Sequence, residues 1–175
     1  MIYIVRHGQT DWNLEGRYQG RIDIELNETG INQAEKIKEE LKGIKFDKIF
    51  SSPLKRAYKT AQIICDDNII KDERLIERCN GQLEGKLKTE CKEAVDFTDP
   101  NEERLGIEPL PMFRKRISDF FDEILEKYPN KDILVATHAG VSIYAKCYFE
   151  GEPEDGNYSK YKLKNCEVLK YNNNK

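Results

Sequence analysis

Short apolar runs alternate along the chain with longer stretches whose apolar residues recur every three or four positions. Ile2 to Val5 is almost continuously apolar and predicts a strand covered on both faces. Gly8 to Glu28 is polar and carries Gly16, Gly20 and Asn27, so it reads as a loop. From Thr29 onward, Ile31, Ala34, Ile37 and Leu41 form the stripe of a helix that Gly43 stops. Asp47 to Phe50 predicts a second strand. Ser51-Ser52-Pro53 suits a helix opening, because serine caps and proline fits the first turn, and Leu54, Ala57, Ala61, Ile64 and Cys65 supply that helix's stripe.

Ile69 and Ile70 suggest a third strand, followed by the irregular stretch ERLIERCNGQLEGK. Cys91 to Pro111 is acidic, contains prolines 100, 109 and 111, and lacks a period, so a lid-like excursion is expected around 86–111. Phe113, Ile117, Phe120, Phe121, Ile124, Leu125 and Tyr128 make the strongest helical stripe. Ile133 to Ala136 predicts another strand, a helix follows from about Val141, and a last strand lies near Cys166 to Tyr171, with a frayed tail. Strands alternating with crossover helices give an α/β fold, and the 175 residues show no linker or repeat, so one domain over 1–175 is expected.

The charges, 29 Lys and Arg against 32 Asp and Glu, leave a formal −3. A broad basic surface for nucleic acid or anionic lipid is therefore not expected, and any anion site must be local. No apolar run nears the roughly 18 residues of a membrane span, and Arg6 interrupts the opening run at once, so a cytoplasmic protein without membrane contact is expected. Five cysteines (65, 79, 91, 147 and 166) without a CxxC spacing read as structural thiols.

There are two histidines, His7 and His138, and each directly follows a predicted strand. In open parallel sheets, sites form at the carboxyl ends of strands. Arg6 adjoins His7, and Arg56 falls early in the helix after the second strand. Paired guanidiniums match the oxygens of a phosphoryl group, and their charge, together with burial, disfavours imidazolium. A neutral ring nitrogen can then attack phosphorus. Hydrolysing an ester also needs an acid for the departing oxygen, but position alone does not single out one carboxylate among many.

Taken together, RHG at Arg6, SSPLKRAYKTA from Ser51, LIERCNGQLEG from Leu75 and THAG from Thr137 resemble the histidine phosphatase superfamily, and LNETGINQA resembles its first-helix opening. The resemblance implies the phosphoglycerate mutase-like fold, a three-layer sandwich with a mostly parallel central sheet and helices on both faces. It implies that His7 is transiently phosphorylated, that Arg6, Arg56 and His138 hold the transferring group, and that Glu77 protonates the leaving group and then activates water. By the same resemblance Asn13 touches the phosphate, Gln19 and Gly20 line the substrate mouth, and the Ala139 amide adds a donor. No metal or cofactor is implied, and the expected partner is a small-molecule phosphate ester. Monomer and homodimer remain equally open.

The superfamily holds phosphatases and cofactor-dependent phosphoglycerate mutases. Mutases typically carry ERHYG where this chain has Glu77-Arg78-Cys79-Asn80-Gly81, and Gly-Asn where it has Ala139-Gly140. Both departures favour hydrolysis, with the mutase as the alternative. Lys88, Arg21 and Arg17 are candidates for meeting a substrate carboxylate, set against a reading as surface charges. Other readings are a non-catalytic phospholigand binder, which could dispense with Glu77, and a metal site at His7 and His138, which lacks a third ligand.

Overall fold

Ten regular elements make up the fold in the computed structural model, which describes residues 1–91 and 104–173. In chain order they are β1 (Ile2–Arg6), α1 (Asp11–Glu15), α2 (Glu28–Glu40), β2 (Lys48–Ser51), α3 (Lys55–Ile64), β3 (Ile69–Lys71), α4 (Leu110–Lys127), β4 (Ile133–Thr137), α5 (Ala139–Glu150) and β5 (Val168–Tyr171). The sheet runs β3-β2-β4-β1-β5. Its first four strands are parallel, and β5 pairs antiparallel with β1 at the edge.

Side chains of successive strand residues leave on opposite faces, and this sorts the core into two layers. Ile2, Ile4, Phe50, Ile133 and Val135 pack with Phe113, Ile117, Phe120, Phe121 and Ile124 of α4 and with Val141 and Ala145 of α5. Tyr3, Val5, Ile49, Leu134 and Ala136 pack on the other face with Ala34 and Ile37 of α2 and Ala61, Ile63 and Ile64 of α3. The expected three-layer, mostly parallel α/β sandwich is thus the observed one. β1 and β4 are buried along their whole length because helices cover both faces.

The structure corrects several local expectations. The stretch read as a loop over Gly8 to Glu28 contains α1, closed by a capping box in which Thr10 and Asn13 exchange bonds of 3.2 Å. Five residues are too few for an apolar stripe to show. α3 starts at Lys55 rather than at the serines: Ser51 finishes β2, Ser52 turns toward His138, and Leu54 takes the cap position without a side-chain bond. α5 starts at Ala139, two residues ahead of expectation. Ile31, placed in the α2 stripe, is 39% exposed, because the buried face narrows to Gly30, Ala34 and Ile37. Residues 92–103 of the excursion expected around 86–111 lie outside the described residues. All five cysteines are free thiols.

Two glycines set how closely α2 approaches the end of β1. A β-carbon on Gly30 would stand 2.1 Å from the Gln9 carbonyl oxygen, and one on Gly8 would stand 2.4 Å from that of Gly30. Asn27 caps α2 by accepting the Gly30 N–H at 2.9 Å, while Thr60 of α3 accepts the Gly8 N–H at 3.0 Å. The segment after β1 is therefore clamped between two helices. Gly30→Ala is expected to destabilise the fold by about 1–3 kcal/mol through overpacking, read from urea unfolding midpoints. An unchanged midpoint would show that the approach is looser than described.

Candidate active site

Adjacent parallel strands deliver the two histidines to one edge. β1 ends at Arg6 opposite Thr137 of β4, and the His7 N–H donates to the Thr137 carbonyl at 2.9 Å. The two imidazoles then meet edge to face, with ring centroids 5.2 Å apart. The carbonyl of Gly8 lies 2.7 Å from His7 Nδ1. A carbonyl oxygen can only accept, so Nδ1 carries the proton and Nε2 keeps a free lone pair.

Arg6 is tied through Nη1 to the Leu163 carbonyl at 2.6 Å, and Arg56 through Nη1 and Nη2 to the carbonyls of Ile22 and Gly20 at 2.8 and 2.7 Å. Among the described residues, neither guanidinium faces a carboxylate across a hydrogen bond. Nε of both, together with His138 Nδ1 and Gln19 Oε1, is buried without a partner among the described residues. Buried polar atoms are rarely left so, and three of these four atoms belong to side chains expected to grip a phosphoryl group.

A cavity of about 400 Å³ opens at this edge, lined by Arg6, His7, Arg56 and Glu77 and by the expected Asn13, Gln19, Gly20 and Ala139. Asn13 is fixed from behind: its Oδ1 accepts from Asn165, which also donates to the His7 carbonyl. Ala139 stands in the first turn of α5, whose dipole presents its positive end there. His138 does not line the cavity. It is fully buried, touches His7, and has Nε2 2.7 Å from the Ser52 hydroxyl.

Glu77 is held at both ends. Its carboxylate accepts the N–H groups of Arg78 and Gly140 at 2.9 and 3.0 Å, and its carbonyl accepts from Arg21 and Arg116. A β-carbon at position 140 would fall 2.5 Å from Glu77 Oε1, so glycine there is what lets the carboxyl group approach α5. Arg116 and Arg21 are in turn paired with Glu108. That commits Arg21, which stays off the cavity wall. Arg17 lines the cavity but bonds Glu15 and the Gly85 carbonyl, whereas Lys88 lines it with no such partner among the described residues.

The electrostatics follow from burial of like charges. Desolvation, then Arg56 and Arg6, hold His7 well below the usual imidazole range; desolvation, Arg56, His7 and Arg6 do the same to His138. Desolvation pushes Arg56 down to about 10, which leaves it cationic at neutral pH. Ser52, Thr60, Asn165, Tyr144, Tyr158 and Lys162 escaped the sequence reading. Ser52 carried a signal, but it was the same signal as a helix cap; Thr60 lies within the motif that begins at Ser51 but has no distinguishing position there, and the others come from segments with no local motif. Among the described residues no cluster of three or more His, Cys, Asp or Glu could hold a metal, and no helix is long and apolar enough to cross a membrane.

Because an unfolded chain protonates its histidines near about pH 6.5 while this site refuses those protons, stability is expected to fall as pH drops through and below that value. Imidazole nitrogen spectra should show both rings neutral at about pH 6. An imidazolium signature from either ring at that pH would contradict the described burial.

The model of the histidine phosphatase superfamily (branch 1) matches residues 2–174. An uncharacterized phosphatase, PhoE, of Bacillus subtilis is 38% identical over 148 residues, covering 82% of this chain and 74% of that protein. Phosphoserine phosphatase 1 of Hydrogenobacter thermophilus is 36% identical over 147 residues, covering 78% and 70%. The crystal structure of an Entamoeba histolytica phosphoserine phosphatase in complex with 3-phosphoglyceric acid superposes with a TM-score of 0.81 at 30% identity, over 95% of this chain and 87% of that one. A 2,3-bisphosphoglycerate-dependent phosphoglycerate mutase of Elusimicrobium minutum is 36% identical, but the match spans only 54% of its length. With the family match spanning nearly every residue and the expected fold in place, this chain belongs to the histidine phosphatase superfamily, branch 1.

Proposed function

We propose that the protein is a phosphatase that hydrolyses small phosphate monoesters through a phosphohistidine on His7. The observation that carries this reading is the free Nε2 lone pair of His7, set by the Gly8 carbonyl in a cavity shared with two guanidiniums and a carboxylate. Arg6 and Arg56 take the non-bridging oxygens, where their fixed charge stabilises the transferring group. Nε2 of His7 forms a bond to phosphorus as the ester P–O bond breaks, and the Glu77 carboxyl gives its proton to the departing oxygen. Glu77, now a carboxylate, takes a proton from water as that water attacks phosphorus. The P–N bond then breaks, releasing inorganic phosphate and restoring His7.

His138 enters this scheme through His7 rather than through the cavity wall. Its buried, neutral ring packs edge to face against the nucleophile, and its unpartnered Nδ1, protonated while Nε2 accepts from the Ser52 hydroxyl, becomes a donor to a phosphoryl oxygen as that group moves onto His7. Hydrolysis is favoured over mutase chemistry by Cys79-Asn80 and Ala139-Gly140. The matched mutase is also nearly twice the length of the matched region. No step calls on a metal, since the cationic side chains supply the charge that a metal would otherwise bring.

Hydrolysis of p-nitrophenyl phosphate is expected to continue in the presence of EDTA and to be abolished in His7→Ala. Alkaline quench of the wild type should trap phosphate on His7; label persisting in His7→Ala would overturn the assignment. Glu77→Gln should slow alkyl phosphates by about 10²- to 10⁴-fold and the aryl ester much less, because nitrophenolate leaves without a proton. Equal slowing of both would remove Glu77 from the acid role.

A further inference from the structure

The segment that carries Glu77 has little regular structure of its own. Between β3 and Gly81 it contains only the 3-10 turn Glu73–Leu75, so the position of the acid depends on what other parts of the chain hold. Arg116 of α4 reaches this segment at two carbonyls. Its Nη1 donates to that of Arg74 at 2.6 Å and its Nη2 to that of Glu77 at 3.2 Å. Arg21, from the loop after α1, adds a further donor, Nε to the Glu77 carbonyl at 3.3 Å. Two guanidiniums thus converge on one carbonyl, an arrangement that their mutual repulsion opposes.

Glu108, just ahead of α4, removes that repulsion. Its carboxylate accepts Nε and Nη2 of Arg116 at 2.9 and 3.0 Å, lies 3.1 Å from Nη2 of Arg21, and accepts the Cys79 N–H at 3.4 Å. Its backbone is tied to the same segment: its N–H donates to the Cys79 carbonyl at 3.0 Å, and its carbonyl accepts Nε of Arg78 at 2.8 Å. The side chains of Arg116 and Glu108 are only 16% and 11% exposed, so water screens the pair little. Desolvation pushes the Glu108 carboxyl up, but the Arg116 hydrogen bond and the charges of Arg116 and Arg21 outweigh it and hold the group below the usual carboxylate range. Glu108, Arg116 and Arg21 do not line the cavity. Any effect they have on the reaction passes through Glu77.

The other end of Glu77 is its carboxylate, which accepts the Gly140 N–H at 3.0 Å in the first turn of α5, where the helix itself offers no acceptor. That contact exists only while the backbone of Glu77 stays in place. We propose that Glu108 is a positioning residue for the reaction: through Arg116 and Arg21 it fixes the backbone of Glu77, and so keeps the carboxyl group at the Gly140 N–H on the cavity wall. This deepens the proposed function and rests on it for the role of Glu77 as the acid. The demand on position is strict, because a displacement of about 1 Å at a reacting group is enough to cost about 10²-fold in rate.

The test compares propyl phosphate with p-nitrophenyl phosphate, since only the first needs a proton for its leaving group. Glu108→Gln keeps the size of the side chain and removes its charge, while Glu108→Ala removes the whole carboxyl group. Both are expected to lower the alkyl-to-aryl ratio of kcat/KM, the alanine variant by about tenfold to a hundredfold, and Glu108→Asp is expected to restore part of it. In a Glu77→Gln background the same substitutions should leave the ratio where Glu77→Gln alone puts it. Taking the ratio within each variant cancels any general loss of folded enzyme.

A ratio that stays at the wild-type value in both variants, or that falls equally with and without Glu77, would overturn the positioning role while leaving the phosphatase intact. Hydrogen exchange reads the same contact without turnover. The Gly140 amide should exchange severalfold faster in Glu108→Gln while the amides of β1 and β4 keep their protection, and unchanged exchange at Gly140 would refute the proposal. If the wild type hydrolyses neither ester, the phosphatase reading fails and the exchange measurement decides the positioning role by itself. Should Glu108→Ala not fold, Glu108→Gln carries both measurements.

Discussion

The hydrogen bond from His7 Nδ1 to the Gly8 carbonyl, 2.7 Å long, is the constraint on which the rest of the site depends. It is a bond between neighbouring residues, so it forms only if the chain turns sharply after β1. That turn is held open by Gly8 and Gly30, where a β-carbon on either would overlap backbone, and by Thr60 accepting the Gly8 N–H. Helices α2 and α3 therefore act on the chemistry through the backbone. They set the tautomer of one imidazole, and the tautomer decides which nitrogen is free to react.

Charge is arranged around that ring with equal economy. A chain of net charge −3 gathers six cations about one cavity, and burial of two of them is tolerated because carbonyl oxygens, not carboxylates, accept their protons. An ion pair would have satisfied Arg6 and Arg56 but spent their charge internally. Carbonyl acceptors orient the guanidiniums and leave the positive potential available to an incoming anion. Burial, and after it the same potential, holds both histidines well below the usual imidazole range, as the proposed nucleophile requires. In the proposed reaction, the cations that attract the phosphoryl group thus also help, second to desolvation, to keep the attacking nitrogen unprotonated.

The strands and long helices were legible because their signals are periodic and extended: β1 and β4 as uninterrupted apolar runs, α4 as seven apolar residues at helical spacing. The histidines could be placed at one sheet edge from their positions directly after those runs. What could not be read is short or depends on distant partners. α1 has five residues, and its Thr10–Asn13 capping box differs from the usual Ser/Thr-x-x-Glu form. Ser52 looks like a helix cap until β4 brings His138 within 2.7 Å of it. Lys162 lines the cavity beside Leu163, whose carbonyl meets Arg6, 157 residues away in sequence. Glu77 was identified by resemblance alone, since nothing local separates it from Glu73 or Glu84.

The central claim is that the adjacent Arg6 and His7 converge with Arg56 and Glu77, from two distant parts of the chain, on one tetrahedral anion, with His7 Nε2 as the atom that bonds to it. A crystal structure of the protein with orthovanadate tests this most directly, because vanadate takes the trigonal-bipyramidal geometry of phosphoryl transfer. The account predicts vanadium bonded to His7 Nε2, its equatorial oxygens on Arg6 and Arg56, and the Glu77 carboxyl beside the apical oxygen opposite the ring. Vanadate bound away from His7, or held through Nδ1 with the Gly8 contact broken, would contradict it.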